Sequence, residues 1–238
     1  MNQQTTRRTL SHEQSAVIRW TAAIGAITAE ALAETHQISA ASARARLGVA
    51  ARQRLLRRNR PLTEVPTLYS VTAAGLAAAG LDGFAACRIS AANCQHTAAC
   101  VHAAAELQRR YPDRRVSGER ELRLEERRAQ RPVASAIVRG GMHGATLHRP
   151  DLVLWPREHD CERPVAVEIE LTIKSPRRLE AICRAWSRSR VVAGVVYFAP
   201  PDVERALTRA IHSARAEHQI AVLALETLPL AAAVHGSS

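Results

Sequence analysis

The run Val165–Ser175, VAVEIELTIKS, constrains this chain more than any other stretch. Val165, Val167, Ile169, Leu171 and Ile173 alternate with Glu168, Glu170, Thr172 and Lys174. Successive side chains of a β-strand point to opposite faces, so this pattern predicts one apolar face and one row of acids, a hydroxyl and an amine. Upstream, Pro150 opens a second apolar run, Leu152-Val153-Leu154-Trp155, with Asp151 at its mouth. Two such strands side by side would gather carboxylates at one end of a sheet, a pattern suited to a hard metal ion. The same row can also be a solvated strand face, or the charges that protect an edge strand from aggregation.

Charge sharpens the first alternative. The 238 residues carry a net charge of +11, which favours a polyanionic partner, and nucleic acid is the first candidate. Among the 33 basic residues Lys174 is the only lysine. An amine on the row with Glu168 and Glu170 is compact and tunable where arginine is neither. No apolar run approaches the ~20 residues of a membrane span, and no secretory h-region follows the N-terminal arginines. The five cysteines form no CxxC pair and fit free thiols in a reducing cytoplasm.

Residues 1–9 are expected to be a disordered tail. From Ser11, Ala16, Val17, Trp20, Ile24 and Ile27 recur at helical spacing. Thr28 and Ser39 are natural N-caps for helices over 29–35 and 40–47. With Leu32-Ala33, Ile38-Ser39, Ser42-Ala43 and Leu47, this segment resembles a helix-turn-helix, with Gln37 at the turn position where glycine is usual. The Leu-Tyr-x-x-Thr-x-x-Gly run at Leu68, Tyr69, Thr72 and Gly75 looks like the return strand of a wing entering a closing helix. Residues 10–82 as a whole are similar to winged-helix domains. That resemblance puts Ser39, Ala40, Ser42, Ala43, Arg44 and Arg46 at or near the major groove, and wing residues Arg57, Arg58 and Arg60 on phosphates. A winged helix used only for protein contacts is the alternative.

A linker is expected over 83–92, then a long helix over 93–111 with Cys94, Ala98, Val101, Ala105 and Gln108 inward. His96/Cys100 and His102/Glu106 each share a helix face, although buried thiols and surface histidines explain them more simply than zinc does. Ser117 can cap a charged helix over 118–130, read as mostly solvated. Strands are expected over 133–138 and 145–155, joined by a glycine-rich turn at 140–144, and again over 191–198 and 220–225. Helices begin at Pro176 and after Pro200, the first with Leu179, Ile182, Cys183 and Trp186 inward and Arg177, Arg184 and Arg188 outward. The tail beyond 230 is expected to fray.

Stripped of the charged helix and the terminal pair, the order is α-β-β-β-α-β. It resembles the core of the PD-(D/E)xK nuclease superfamily, with Pro150-Asp151 as the PD element and Glu168 as the following acid. The family's lysine would fall at Glu170; Lys174, four residues on, can take the role. The layout of residues 10–225 also resembles the replication-relaxation family of actinobacterial plasmids and mobile elements, on the Leu68–Gly75 run, Arg149-Pro150-Asp151 and Glu168-x-Glu170-x-Thr172 before a basic helix.

These resemblances imply an α/β chain with an N-terminal winged helix and, over 93–230, a nuclease-like domain with a mixed central sheet. They imply double-stranded DNA as partner. Two readings stand side by side. In one, Asp151, Glu168 and Glu170 hold Mg²⁺ for DNA cleavage, Glu170 or Lys174 assists, and Glu106 is an outlying candidate ligand. In the other, the nuclease-like domain is non-catalytic and serves DNA contact, through residues such as Arg177 and Arg184, or homodimerisation.

Overall fold

The computed structural model describes residues 10–140, 144–157 and 160–227. The expected tails and the centre of the glycine-rich turn lie outside those residues. The fold is mixed α/β, and the chain divides into two compact units, residues 1–101 and 102–238. No helix among the described residues is long and apolar enough to cross a membrane.

In the first unit, α1 (His12–Ile24) starts at a reciprocal cap between Ser11 and Gln14. The side chain of Thr28 caps α2 (Ala29–His36) and that of Ser39 caps α3 (Ala40–Arg52), which runs further than its sequence pattern predicts. Between α2 and α3, Gln37 takes the left-handed conformation, φ 52° and ψ 44°. It therefore does the work of the usual glycine, at a cost of about 1 kcal/mol for carrying a Cβ there. Ile27, expected on α1, instead pairs backbone to backbone with Tyr69.

β1 (Leu56–Asn59) and β2 (Leu68–Val71) form an antiparallel ribbon. Arg57 and Arg58 are residues of β1. β2 leads into α4 (Ala73–Ala78), capped by Thr72. Residues 83–92 carry neither helix nor strand. α5 (Cys94–Arg110) follows, and the division between the units falls within it.

The second unit is built on a five-stranded sheet in the order β3-β6-β7-β8-β9. Its strands are β3 (Val116–Gly118), β6 (Leu152–Leu154), β7 (Val165–Ile169), β8 (Gly194–Ala199) and β9 (Ile220–Ala224). β6 runs antiparallel to both β3 and β7, whereas β7, β8 and β9 are mutually parallel. α6 (Glu119–Ala129) and a separate ribbon of β4 (Ala136–Gly140) and β5 (Gly144–His148) lie between β3 and β6 in sequence. α7 (Pro176–Ser187) connects β7 to β8 and α8 (Pro201–Ala214) connects β8 to β9.

Three expectations need correction. The 133–155 hairpin is not two strands of the main sheet: β4 and β5 pair only with each other, and the chain returns to the sheet at β6. The missing first strand is β3, whose Ser117 lies in a ladder opposite Val153 and does not cap α6; Gly118 is the cap residue. The alternation over 165–174 likewise does not remain strand throughout. β7 ends at Ile169, and residues 170–175 form the connection to α7.

The core explains why β7 is not an edge. Ala166 on β7, Val195, Tyr197 and Ala199 on β8, and Leu179, Ile182, Cys183 and Trp186 on α7 belong to one buried cluster. All four residues expected on the inner face of α7 are there. α7 therefore lies over the β7 face that carries Ala166 and Glu168, and β7 is buried on both faces as a central strand should be.

Candidate functional site

Asp151 and Glu168 come together because β6 and β7 are antiparallel neighbours, with Leu152 opposite Val167. One Asp151 carboxylate oxygen (Oδ2) accepts the Ile169 N–H at 2.8 Å, and the Asp151 carbonyl accepts the Glu119 N–H at 3.0 Å. Asp151 is thereby locked to the end of β7 and to the start of α6. Its carboxylate acts on Glu168 electrostatically.

Glu168 is only 5% exposed, so neither the solvated-face nor the edge-protection reading holds. Burial raises its carboxyl above the ordinary value and the Asp151 charge adds to this, while His148 and Lys174 oppose it. His148 Nε2 lies 2.7 Å from Glu168 Oε1, and the imidazole meets the Trp186 ring edge-on at 5.8 Å between centroids. Tyr197 stands opposite Glu168 in the β7–β8 ladder; burial first, then the Glu168 charge, pushes its hydroxyl well above the usual range. Burial and the same carboxylate push the Cys183 thiol up to about 12, so it stays protonated and unreactive.

Lys174 does reach the acids. Its amine is ion-paired with Glu170. Burial lowers its pKa, against the attraction of Glu168 and Asp151. Pro176 at the head of α7 ends the extended segment, and the intervening turn brings the amine back towards the end of β7.

The three acids do not act as one ligand set. Asp151, Glu168 and Glu170 do not each bring an oxygen to within 4.8 Å of the other two. Glu170, buried and paired with Lys174, is better described as the residue that seats the amine. Glu106 is buried too, but its carboxylate is taken by Arg109 through two hydrogen bonds of 2.7 and 2.8 Å. The remaining pair, Asp151 and Glu168, are two carboxylates in each other's field, with the Lys174 amine drawn to them.

His148 is a site residue that strand periodicity does not single out. Its signal was available only as a histidine three residues before Asp151, since the contact with Glu168 depends on where the β4–β5 ribbon delivers its last residue. Glu126 belongs to the charged helix expected to be mostly solvated. It is buried, accepting the Val133 N–H at 3.1 Å and the Arg149 Nε–H at 2.8 Å, and so ties α6 to both flanks of the ribbon.

The residues expected at DNA divide into exposed and engaged sets. Arg44, Arg57, Arg58, Arg60 and Arg177 are exposed. Arg46 is paired with Glu13 and Arg184 with Glu180, so each offers DNA a neutralised charge. The Ser39 hydroxyl accepts the Ser42 N–H at 3.1 Å and donates to the Ser42 hydroxyl at 2.9 Å. Ala43 is fully buried and is not a groove residue. No family model, curated protein or solved structure matches this chain.

Proposed function

We propose that the chain is a double-stranded-DNA-binding protein of plasmid or mobile-element replication and maintenance, of the replication-relaxation type. In this reading residues 10–82 are a winged helix and the second unit is a PD-(D/E)xK nuclease-like domain that nicks or cleaves DNA with Mg²⁺. The observation that carries it is the meeting of Asp151, Glu168 and Lys174 at the adjoining ends of β6 and β7, inside a sheet of β-β-β-α-β order.

Asp151 and Glu168 would hold the ion. Bound there, it would supply charge stabilisation at a phosphate and a more acidic water. Asp151 is oriented by the Ile169 N–H and Glu168 by His148, so neither has to be organised when substrate arrives. Lys174, seated by Glu170, provides the ammonium that the family places at the position of Glu170. The short Glu170–Lys174 connection thus accounts for both departures from the motif, the acid in the lysine's place and the lysine four residues later.

The test is incubation of supercoiled plasmid with the full chain and Mg²⁺ or Mn²⁺. Nicked product is expected with the wild type and not with Asp151→Ala or Glu168→Ala. One observation favours the non-catalytic reading: Glu168 and Glu170 already have protein partners in His148 and Lys174. Intact DNA binding without nicking by the wild type would select it.

DNA binding itself is expected to weaken steeply with salt, because it releases counterions from phosphates. Arg57→Ala, Arg58→Ala and Arg60→Ala should each flatten the log–log salt slope by up to about 1. A slope near zero for the wild type would contradict the DNA reading.

A further inference from the structure

The second unit contains a cleft of about 480 Å³ that no part of the acidic site uses. One wall is the connection from α6 into β4, contributing Arg131, Pro132 and Ser135, continued by Ile137 on β4. The other is the end of α7 and the link to β8, contributing Ala185, Arg188, Ser189, Arg190 and Val191. No acid lines it. Arg114, Arg115, Arg149 and Arg184 of this unit face carboxylates. Arg131, Arg188 and Arg190 face none among the described residues.

A second observation points to a ligand. Ser135 is 2% exposed, and its buried hydroxyl has no hydrogen-bond partner. A buried polar group left unpaired is unfavourable, and this one belongs to a residue of the cleft wall. The link carrying Arg190 is also held in place, since Arg163 donates to the Arg190 carbonyl at 3.2 Å.

We infer that this cleft binds a terminal phosphate, the phosphomonoester at the end of a nucleic-acid strand. Three unneutralised guanidiniums match a monoester, which carries nearly two negative charges at neutral pH, better than the single charge of an internal diester. Pro132, Ile137, Ala185 and Val191 give apolar surface for a sugar or base, and the volume suits one nucleotide rather than a duplex. The phosphate assignment stands on the cleft alone, whereas a nucleic-acid strand as its carrier rests on the DNA reading above.

The experiment measures binding of the full chain to short single strands bearing a 5′-phosphate, a 3′-phosphate or hydroxyls only, and to thymidine 5′-monophosphate beside thymidine. At least one phosphorylated end should bind about tenfold tighter than the hydroxyl strand, and the preference should vanish in Arg188→Gln/Arg190→Gln. Ser135→Ala should reduce the preference severalfold while leaving thermal stability unchanged or raised, because it removes an unsatisfied group from the free protein. Preference for the mononucleotide without any strand binding would support the phosphate site and remove the nucleic-acid carrier. Equal affinity for phosphorylated and hydroxyl probes, or a preference that survives the double arginine substitution, would overturn the inference.

Discussion

Gly75→Ala is expected to destabilise the first unit by about 3 kcal/mol, near the upper end of what overpacking produces. A Cβ at position 75 would stand 2.2 Å from the Leu55 carbonyl oxygen and 3.0 Å from Val71 Cγ1. The first of these is backbone and cannot rotate away. It is also fixed in place, because the same carbonyl accepts the Thr72 N–H at 3.1 Å and Thr72 Oγ1 donates to the Arg54 carbonyl at 2.6 Å. The Leu68–Gly75 run therefore has a physical meaning beyond its resemblance. Leu68 is buried core, Tyr69 pairs with Ile27, Thr72 caps α4 and grips the chain before β1, and Gly75 lets α4 lie against that chain. Thermal unfolding together with DNA binding would check it: the variant should lose binding in step with folding of the first unit. A Gly75→Ala protein as stable as the wild type would contradict this packing.

Glu168→Gln should separate stability from activity. The raised carboxyl pKa of folded Glu168 has a definite sign. Its contribution to stability is present below the ordinary carboxylate value of 4.5 and is lost as pH rises through the raised value in the folded chain. Above the raised value the wild type carries the burden of ionising a buried acid; glutamine does not, and it keeps an oxygen for His148. The variant should gain stability on the wild type as pH rises, with the gap closing towards pH 4. Metal-dependent nicking should fall by a factor of about 10³ or more, because the amide cannot neutralise a divalent ion. Melting curves across pH and the plasmid assay read the two effects separately. A variant less stable at every pH would mean that the charged His148–Glu168 pair holds the fold together.

Much of this site was legible in the sequence because strand periodicity is local. Asp151 after Pro150, and Glu168 flanked by Val167 and Ile169, announce strand ends and strand faces without any knowledge of neighbours. The rest depended on tertiary partners. Alternation over 165–174 cannot say where a strand stops, and here Pro176 starts α7 too soon for Thr172 and Lys174 to remain in the ladder. The same alternation made Glu168 look solvated, although Ala166 on its face already hinted that something packs there; that something is α7.

β3 escaped because Val116-Ser117-Gly118 is three residues long and carries a serine and a glycine that read as helix-capping signals. The β4–β5 ribbon was correctly seen as a hairpin, but pairing pattern alone does not assign a hairpin to a sheet. Glu126 sits in a run of charges whose other acids are less buried, and only Arg149 and the Val133 N–H distinguish it. The α-β-β-β-α-β order thus emerged with one strand wrongly assigned: β3 opens it, and α6, β4 and β5 together are the insertion.

The most direct test of the acidic site is a calorimetric titration of Mn²⁺ into the full chain beside Asp151→Asn. Asparagine keeps a carbonyl oxygen for the Ile169 N–H, so the variant should fold normally. Saturable binding is expected with the wild type, and loss of that binding with the variant. No saturable binding to the wild type, or equal binding by folded Asp151→Asn, would contradict it.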